Sequence, residues 1–263
     1  MYNFEYQKPA ALADALKALG QEDAKALAGG MTLIPVLKQR LNKPSVVVDL
    51  SKLGLTGITV SADAVTIGAM TTHAAVARSV EVQRAIPALA ALAGGIGDNQ
   101  VRARGTIGGS LANNDPAACY PAAALALGAA ITTNKRAIKA DDYFQGMFST
   151  ALEESEVITS VSFPIPGKAA YVKFKQPASR YAMVGVFVAK GPAGVRVAVT
   201  GSGQGGVFRF AAAEAALAAN WSAEAVAGVS VSVDRMMSDI HGSAAYRAHL
   251  VAVITKRAVA AAG

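Results

Sequence analysis

The sequence predicts an α+β fold in which a two-part α/β domain precedes an antiparallel sheet packed with helices. Three observations indicate this order. Helical and strand-like patterns alternate at the start, paired glycines occur at two separate places, and the last third opens with strand-like runs separated by turns. With 263 residues, of which 52% are hydrophobic, the chain is long enough to bury one large core or two smaller ones.

The first part of the chain has the pattern helix, strand, helix, strand. Pro9 opens a helix that Gly20 ends, with leucines repeating on one face between them. Residues 24–28 form a short apolar run, and residues 33–41 return to helical spacing with Pro35 in the first turn, where a missing N–H costs nothing. Residues 46–48 are predicted to form a buried strand.

The pattern changes at Gly57. Residues 57–60 and 65–68 predict a hairpin, and Thr71-Thr72 begins a helical, Ala-rich stretch that reaches Gly94. A buried helix is expected over residues 121–127. Strands are expected over residues 130–133, 136–139 and 157–163, and residues 164–167 are the clearest linker.

The last third predicts an antiparallel sheet backed by helices. Its strands are expected over residues 171–176, 183–189 and 195–200, with helical sequence from Ala211 and a final helix over residues 244–261. We therefore expect a first domain over residues 1–167, with subparts of about 1–55 and 56–167. A C-terminal domain is expected over residues 168–263.

Composition excludes several classes of function. The single cysteine, Cys119, cannot form an internal disulfide or hold an iron–sulfur cluster, and the histidines lack metal-ligand spacing, so we expect no metal site. The net charge of +7 comes from scattered Lys and Arg, which does not favour nucleic-acid binding. No apolar stretch reaches the length of a membrane span, and the N-terminus lacks a signal-peptide pattern. A cytoplasmic location is expected.

Residues 201–206 match the dinucleotide pattern G-x-G-x-x-G, but their context is wrong. That pattern requires a helix directly after it, whereas residues 207–210 alternate like a strand. We interpret these glycines as a hairpin turn. A nicotinamide-binding protein that uses them remains an alternative.

The first paired glycines, Gly29-Gly30, follow a predicted strand and open a predicted helix. Two adjacent glycines let the backbone approach an anion closely, and successive N–H groups can then point into one concavity. Thr32 can add a hydroxyl group. A plain tight turn is the alternative interpretation of this segment taken alone.

The second pair, Gly108-Gly109, lies in residues 106–116, which are rich in hydroxyl, amide and carboxylate groups. Neither pair is followed by the lysine of a nucleoside-triphosphate loop. Two backbone-lined anion sites, far apart in sequence, indicate a diphosphate held from two sides.

The two glycine segments read A-G-G-x-[ST]-L-x-P and T-I-G-G-x-x-A-x-x-D-P. Together they resemble the FAD-binding subunit of molybdenum hydroxylases, which include the medium subunit of bacterial carbon monoxide dehydrogenase and the FAD domain of xanthine dehydrogenase. The resemblance extends over nearly the whole chain. It implies an FAD-binding domain of the p-cresol-methylhydroxylase/vanillyl-alcohol-oxidase type.

The resemblance also implies a set of cofactor-binding residues. It assigns the pyrophosphate to the two glycine segments, FAD hydroxyls to Asp115, ring contacts to Ile96 and Ile158, and flavin contacts to Lys175 and Tyr181. The full expected set is Ala28, Gly29, Gly30, Met31, Thr32, Leu33, Ile96, Thr106, Ile107, Gly108, Gly109, Ser110, Asn113, Asp115, Ile158, Lys175 and Tyr181.

Two positions depart from the family pattern. Cys119 stands where the family often has a second acid, and Arg180 stands where many members have Asp. Both departures lie outside the glycine segments, so they leave the pyrophosphate site intact and bear on the reactive part of the flavin.

The function implied is electron transfer without a catalytic residue in this chain. A large molybdopterin subunit and a small subunit with two 2Fe-2S clusters are implied partners, in a dimer of heterotrimers. Electrons would pass from the clusters to FAD and then to an external acceptor. One alternative is a self-sufficient FAD oxidase of a small alcohol or amine, which needs a catalytic base that we do not find. Another is a scaffold protein that binds no cofactor.

Overall fold

The computed structural model describes residues 1–263, and its first part is a small parallel sheet with two helices. Strand β3 lies in the middle and pairs with β1 and β2, so both edges run parallel to it. The elements are β1 (Glu5–Gln7), α1 (Leu12–Leu19), β2 (Lys25–Leu27), α2 (Leu33–Lys38) and β3 (Val46–Asp49). The sequence did not predict β1. Its three residues are polar or aromatic, so they do not show the alternation of apolar and polar residues that indicates a strand.

The second part is built on a five-stranded antiparallel sheet in the order β4-β5-β10-β6-β7. The predicted hairpin is present, with β4 and β5 paired in register. The elements are β4 (Ile58–Val60), β5 (Ala64–Gly68), α3 (His73–Arg78), α4 (Val80–Ala85), α5 (Pro87–Gly94), α6 (Asn99–Arg104), α7 (Ile107–Asn113), α8 (Tyr120–Leu127), β6 (Ala130–Thr133), β7 (Ala137–Lys139), α9 (Ala140–Tyr143), β8 (Phe144–Gly146), β9 (Ser149–Thr150) and β10 (Ile158–Pro164).

The third part is a four-stranded antiparallel sheet, β11-β12-β13-β14, with a long helix packed on one face. The hairpin between β13 and β14 contains residues 201–206, which confirms that this glycine motif is a turn. The elements are β11 (Lys168–Lys175), β12 (Ala182–Gly191), β13 (Gly194–Thr200), β14 (Phe208–Arg209), α10 (Ala211–Ala219) and α11 (Ala244–Ala262). The predicted α+β class and its C-terminal antiparallel sheet are confirmed.

Apolar packing joins the parts. Helix α8 is buried at every position, as its sequence predicted, and lies between the middle sheet and strands β12 and β13. Phe187, Ala189 and Ala198 of the C-terminal sheet accordingly belong to the apolar cluster of the middle part. The middle sheet ends with β10 before Gly167, and the C-terminal sheet begins with β11 after it. Apolar side chains from both sheets nevertheless belong to one core. The proposed domain limits therefore remain a prediction.

Arg247 of α11 holds the start of β12 through hydrogen bonds to backbone oxygens. Its side chain is buried, with 3% of its surface exposed, and donates hydrogen bonds to the backbone oxygens of Met183 (2.9 Å) and Gly201 (2.7 Å). It also forms an ion pair of 2.7 Å with Asp239, while its Nε is buried without a partner. None of the helices has both the length and the apolar character that crossing a bilayer requires.

Candidate functional site

A cavity of about 800 Å³ opens where the three parts meet. This volume lies in the range of pockets that enclose a large organic ligand. All but two of the residues expected at the cofactor line it: Ala28, Gly29, Gly30, Met31, Thr32, Leu33, Ile96, Thr106, Gly108, Gly109, Ser110, Asn113, Asp115, Ile158 and Tyr181.

The first glycine segment presents free backbone donors to this cavity. The five N–H groups from Gly29 to Leu33 have no acceptor in the protein, although the segment is part of the cavity wall. Gly30 has a φ of +75°, a left-handed conformation that glycine adopts without strain. The Thr32 hydroxyl does not cap α2, so it is also available. Five successive donors without a protein acceptor are therefore available to a ligand in the cavity.

The second glycine segment is different from the prediction. Gly108 and Gly109 lie in the first turn of α7, not in a loop, and their N–H groups are already bonded. Gly108 donates to the Ala69 oxygen at 2.8 Å, and Gly109 donates to the Thr106 hydroxyl at 3.1 Å. The second segment therefore shows no row of free backbone donors like that of the first, although both glycines line the cavity. This segment offers side chains to the cavity, notably Ser110 and Asn113.

The glycines also serve a purpose that the sequence did not indicate. A Cβ on Gly29 would overlap the Arg104 carbonyl oxygen and lie 2.7 Å from the carbonyl carbon. A Cβ on Gly108 would lie 2.6 Å from the Ala69 Cβ. We expected these positions to leave room for a phosphate. They instead allow the backbone to pack closely, and Gly29 brings the first part against the second.

Two expected cofactor residues do not line the cavity. Ile107 is fully buried in the core of the middle part, because its side chain lies on the inner face of α7. Lys175 is exposed at the end of β11, just after a register shift between Phe174 and Lys175. Lys173, two residues earlier on the same strand, lies in the cavity wall. Strand register decides which of the two lysines faces inward, and the sequence alone does not give that register.

One end of the wall combines apolar and polar groups near Ile96. Lys173 Nζ donates to the Gly95 oxygen at 2.8 Å and contacts Cys119 Sγ at 3.5 Å. Arg102 donates to the backbone oxygens of Ile96 and Gly97, so it shapes this segment and is not a surface ion pair. This end of the wall therefore places the Lys173 ammonium group beside an apolar side chain.

Two exposed aromatic residues stand at the edge of the cavity. Phe148 and Tyr181 are 61% and 55% exposed, respectively, and both belong to the cavity wall. The buried Asn114 side chain donates to the oxygens of Gly146 (2.7 Å) and Ser149 (2.8 Å), which holds the hairpin carrying Phe148. Burial and the nearby Asp115 and Cys119 raise the pKa of the Tyr181 hydroxyl, so it stays protonated at neutral pH.

Glu156 is an acidic residue of the wall that the sequence did not single out. Burial alone would raise its pKa, but hydrogen bonds from Arg136, Thr133 and the Glu153 backbone outweigh this and lower it to about 2. Glu156 and Arg136 form an ion pair of 3.1 Å. The charge of Glu156 is thus compensated within the protein.

His73, at the first position of α3, also lines the cavity. Its backbone N–H donates to the Gly105 oxygen, but its ring Nδ1 is buried without a partner. Burial, followed by the positive charge of Arg102, lowers the pKa of His73 to about 4. The ring is therefore neutral at pH 7, and His73 contributes no charge to the cavity.

This shift predicts acid sensitivity of the cofactor-free protein. Between pH 6.5 and 4 the unfolded chain binds a proton at His73 that the folded chain does not. Neutral, buried His73 therefore contributes about 3 kcal/mol to the free energy of unfolding above pH 6.5. This contribution is lost as the pH falls from 6.5 to 4. Urea unfolding of wild type and His73→Gln at pH 7 and pH 4.5 measures it. A wild-type loss no larger than that of the variant would contradict the prediction.

Residues 2–166 match the family model described as the FAD binding domain in molybdopterin dehydrogenase. The nicotine 6-hydroxylase medium subunit of Paenarthrobacter nicotinovorans is 38% identical over 98% of this chain and 96% of its own length. The carbon monoxide dehydrogenase medium chain of Hydrogenophaga pseudoflava is 33% identical over 98% and 96%.

Solved structures agree. The structure of reconstituted CO dehydrogenase from Oligotropha carboxidovorans superposes with a TM-score of 0.91 at 33% identity, covering 99% of this chain and 98% of that one. Quinoline 2-oxidoreductase from Pseudomonas putida 86 gives a TM-score of 0.87 at 31% identity, over 99% and 97%.

These matches confirm the resemblance drawn from the glycine segments. They also confirm FAD as the cofactor of this type of domain, and they confirm the class of enzyme, since the relatives are subunits of dehydrogenases and hydroxylases. The chain belongs to the family of FAD-binding domains found in molybdopterin dehydrogenases.

Proposed function

We propose that FAD lies in the cavity with its pyrophosphate against the N–H groups of Gly29 to Leu33. The observation that carries this is the row of five donors without a protein acceptor on the cavity wall. A diphosphate accepts several hydrogen bonds at once, and a row of successive N–H groups can donate to it together. No other segment of the wall offers such a row.

Side chains around the cavity complete the proposed site. Ser110 and Asn113 lie on α7, where they can bind the phosphates from the second side. Asp115 keeps one carboxylate oxygen on the Ala117 N–H, at 2.8 Å, and has the other for a cofactor hydroxyl. Ile96 and Ile158 supply apolar contacts for the flavin ring, and Tyr181 covers it from the solvent side.

The role that this site supports is electron transfer within a larger enzyme. When bound, FAD would supply redox chemistry that can take electrons singly and give them up in pairs. This chain holds and orients the cofactor. Its only cysteine cannot ligate an iron–sulfur cluster, so clusters that feed the flavin belong to another chain.

The relatives are named as medium chains or medium subunits, which supports an assembly of unequal chains. We infer that the partners are a large molybdopterin-binding subunit and a small subunit with 2Fe-2S clusters, in a dimer of heterotrimers that works in the cytoplasm. An external acceptor then takes the electrons.

Purification of the native complex tests both statements. We expect a flavin absorption spectrum, about one FAD released per copy of this chain, and two further chains identified by mass. A complex without flavin would refute the cofactor site. Flavin with no partner chains, and substrate turnover by this chain alone, would favour a self-sufficient oxidase.

A further inference from the structure

We propose that Lys173, left without a countercharge beside Cys119, is the cation that sets the reduction potential of the bound flavin. The inference rests on the proposed FAD site and goes beyond it by assigning a residue that adjusts the cofactor. Its basis is the hydrogen bonding of one half-buried lysine and the charges around it.

The Lys173 ammonium group has an incomplete set of partners. It has three N–H donors. One is bonded to the Gly95 oxygen at 2.8 Å, and one makes the longer contact with Cys119 Sγ at 3.5 Å. Lys173 forms no ion pair with any carboxylate of the chain. The third donor is therefore available to a ligand in the cavity whose wall Lys173 forms.

The other charged groups of the wall do not compete with Lys173. Glu156 is neutralised by Arg136, and His73 is uncharged at neutral pH. The wall also contains Asp98, which accepts from the Val101 N–H, and Asp115, which accepts from the Ala117 N–H, and neither forms an ion pair with Lys173.

The remaining cations, Lys25 and Arg180, are exposed, so solvent screens them. Arg102 is also half-buried, but its guanidinium donates to Ile96, Gly97 and Asn99 within the protein, and it does not line the cavity. Lys173 is thus the half-buried cation of the cavity wall itself, beside the segment containing Ile96 where we place the flavin ring.

Charge at this place changes the flavin equilibrium. At neutral pH, oxidised flavin takes up two electrons and one proton, so the ring changes from neutral to singly negative. A fixed cation beside the polar edge of the ring stabilises the reduced form relative to the oxidised one. Cys119 matters because it brings no carboxylate to this cation, whereas an acid at the same position would pair with it.

The tests are Lys173→Gln and Cys119→Asp in the FAD-loaded complex, poised anaerobically against an indicator dye of known potential. Each should shift the dye equilibrium toward oxidised flavin by at least about tenfold, which is about 30 mV for a two-electron couple. Lys173→Arg should restore most of the wild-type value. Cys119→Ser keeps a neutral group and should shift the equilibrium less than about twofold.

Lys168→Gln is the matched control, since it removes the same charge from the exposed start of the same strand, outside the cavity. It should leave the equilibrium unchanged. FAD retained with an unchanged equilibrium in Lys173→Gln would overturn this inference and leave the proposed site standing. If Lys173→Gln binds too little FAD to titrate, Cys119→Asp decides alone, and an unchanged value there also overturns the inference. A wild-type complex without FAD would refute the proposed function itself.

Discussion

Gly29→Ala is expected to reduce the FAD content of the purified protein about tenfold or more. The new Cβ would overlap the Arg104 carbonyl oxygen and lie 2.9 Å from the Gly105 Cα. Both contacts are backbone atoms, which cannot move aside as a flexible side chain can. The first glycine segment would therefore shift away from the middle part, and its N–H groups would no longer converge on one ligand. Flavin released by heat, measured per protein chain, gives the result.

The matched control is Gly205→Ala, on the surface turn between β13 and β14. A Cβ there would meet nothing within 4 Å, and Gly205 does not require a left-handed conformation. This variant should retain the wild-type FAD content. Equal flavin in Gly29→Ala and wild type would show that the close approach of the two parts is not required for cofactor binding.

Arg247→Met should lower the free energy of unfolding by about 2–6 kcal/mol, at about 1–3 kcal/mol for each of two buried carbonyl oxygens that lose a donor. The substitution preserves much of the side-chain volume but leaves the Met183 and Gly201 oxygens buried without donors. Met183 follows Tyr181 closely, so the edge of the cavity should loosen as well. Urea unfolding followed by circular dichroism measures the change.

Arg257→Met provides the comparison, because Arg257 is on the same helix but exposed. It should alter the free energy of unfolding by less than about 0.5 kcal/mol. A similar small loss for Arg247→Met would mean that water replaces the guanidinium group at both carbonyl oxygens, and the assigned role of Arg247 would be wrong.

Much of the fold was readable from sequence because local pattern and tertiary structure agree there. The hairpin of β4 and β5, the buried helix α8 and the C-terminal helix α11 have strong periodicity and clear ends. The helix over Gly108-Gly109 was missed for the opposite reason. Glycine is a poor helix former, and α7 depends on the Thr106 cap and on bonding to Ala69.

The sequence predicted which segments of the chain form the candidate site, but not every side chain that faces it. Adjacent glycines after a strand identified the donor row at Gly29, because that signal is local. Which lysine faces the cavity depends on the pairing of β11 with β12, and the partners of Arg102 and Asn114 depend on loop paths. These are tertiary properties with no counterpart in spacing.

The unpaired amides of Gly29 to Leu33 also provide an isotopic measure of cofactor occupancy. An amide without an acceptor exchanges its hydrogen for solvent deuterium quickly, whereas one bonded to a ligand exchanges slowly. A peptide spanning residues 28–34, followed by mass spectrometry, would therefore report flavin loading at this chain. The readout involves no light absorption, so it remains usable in an assembly whose other chromophores overlap the flavin spectrum.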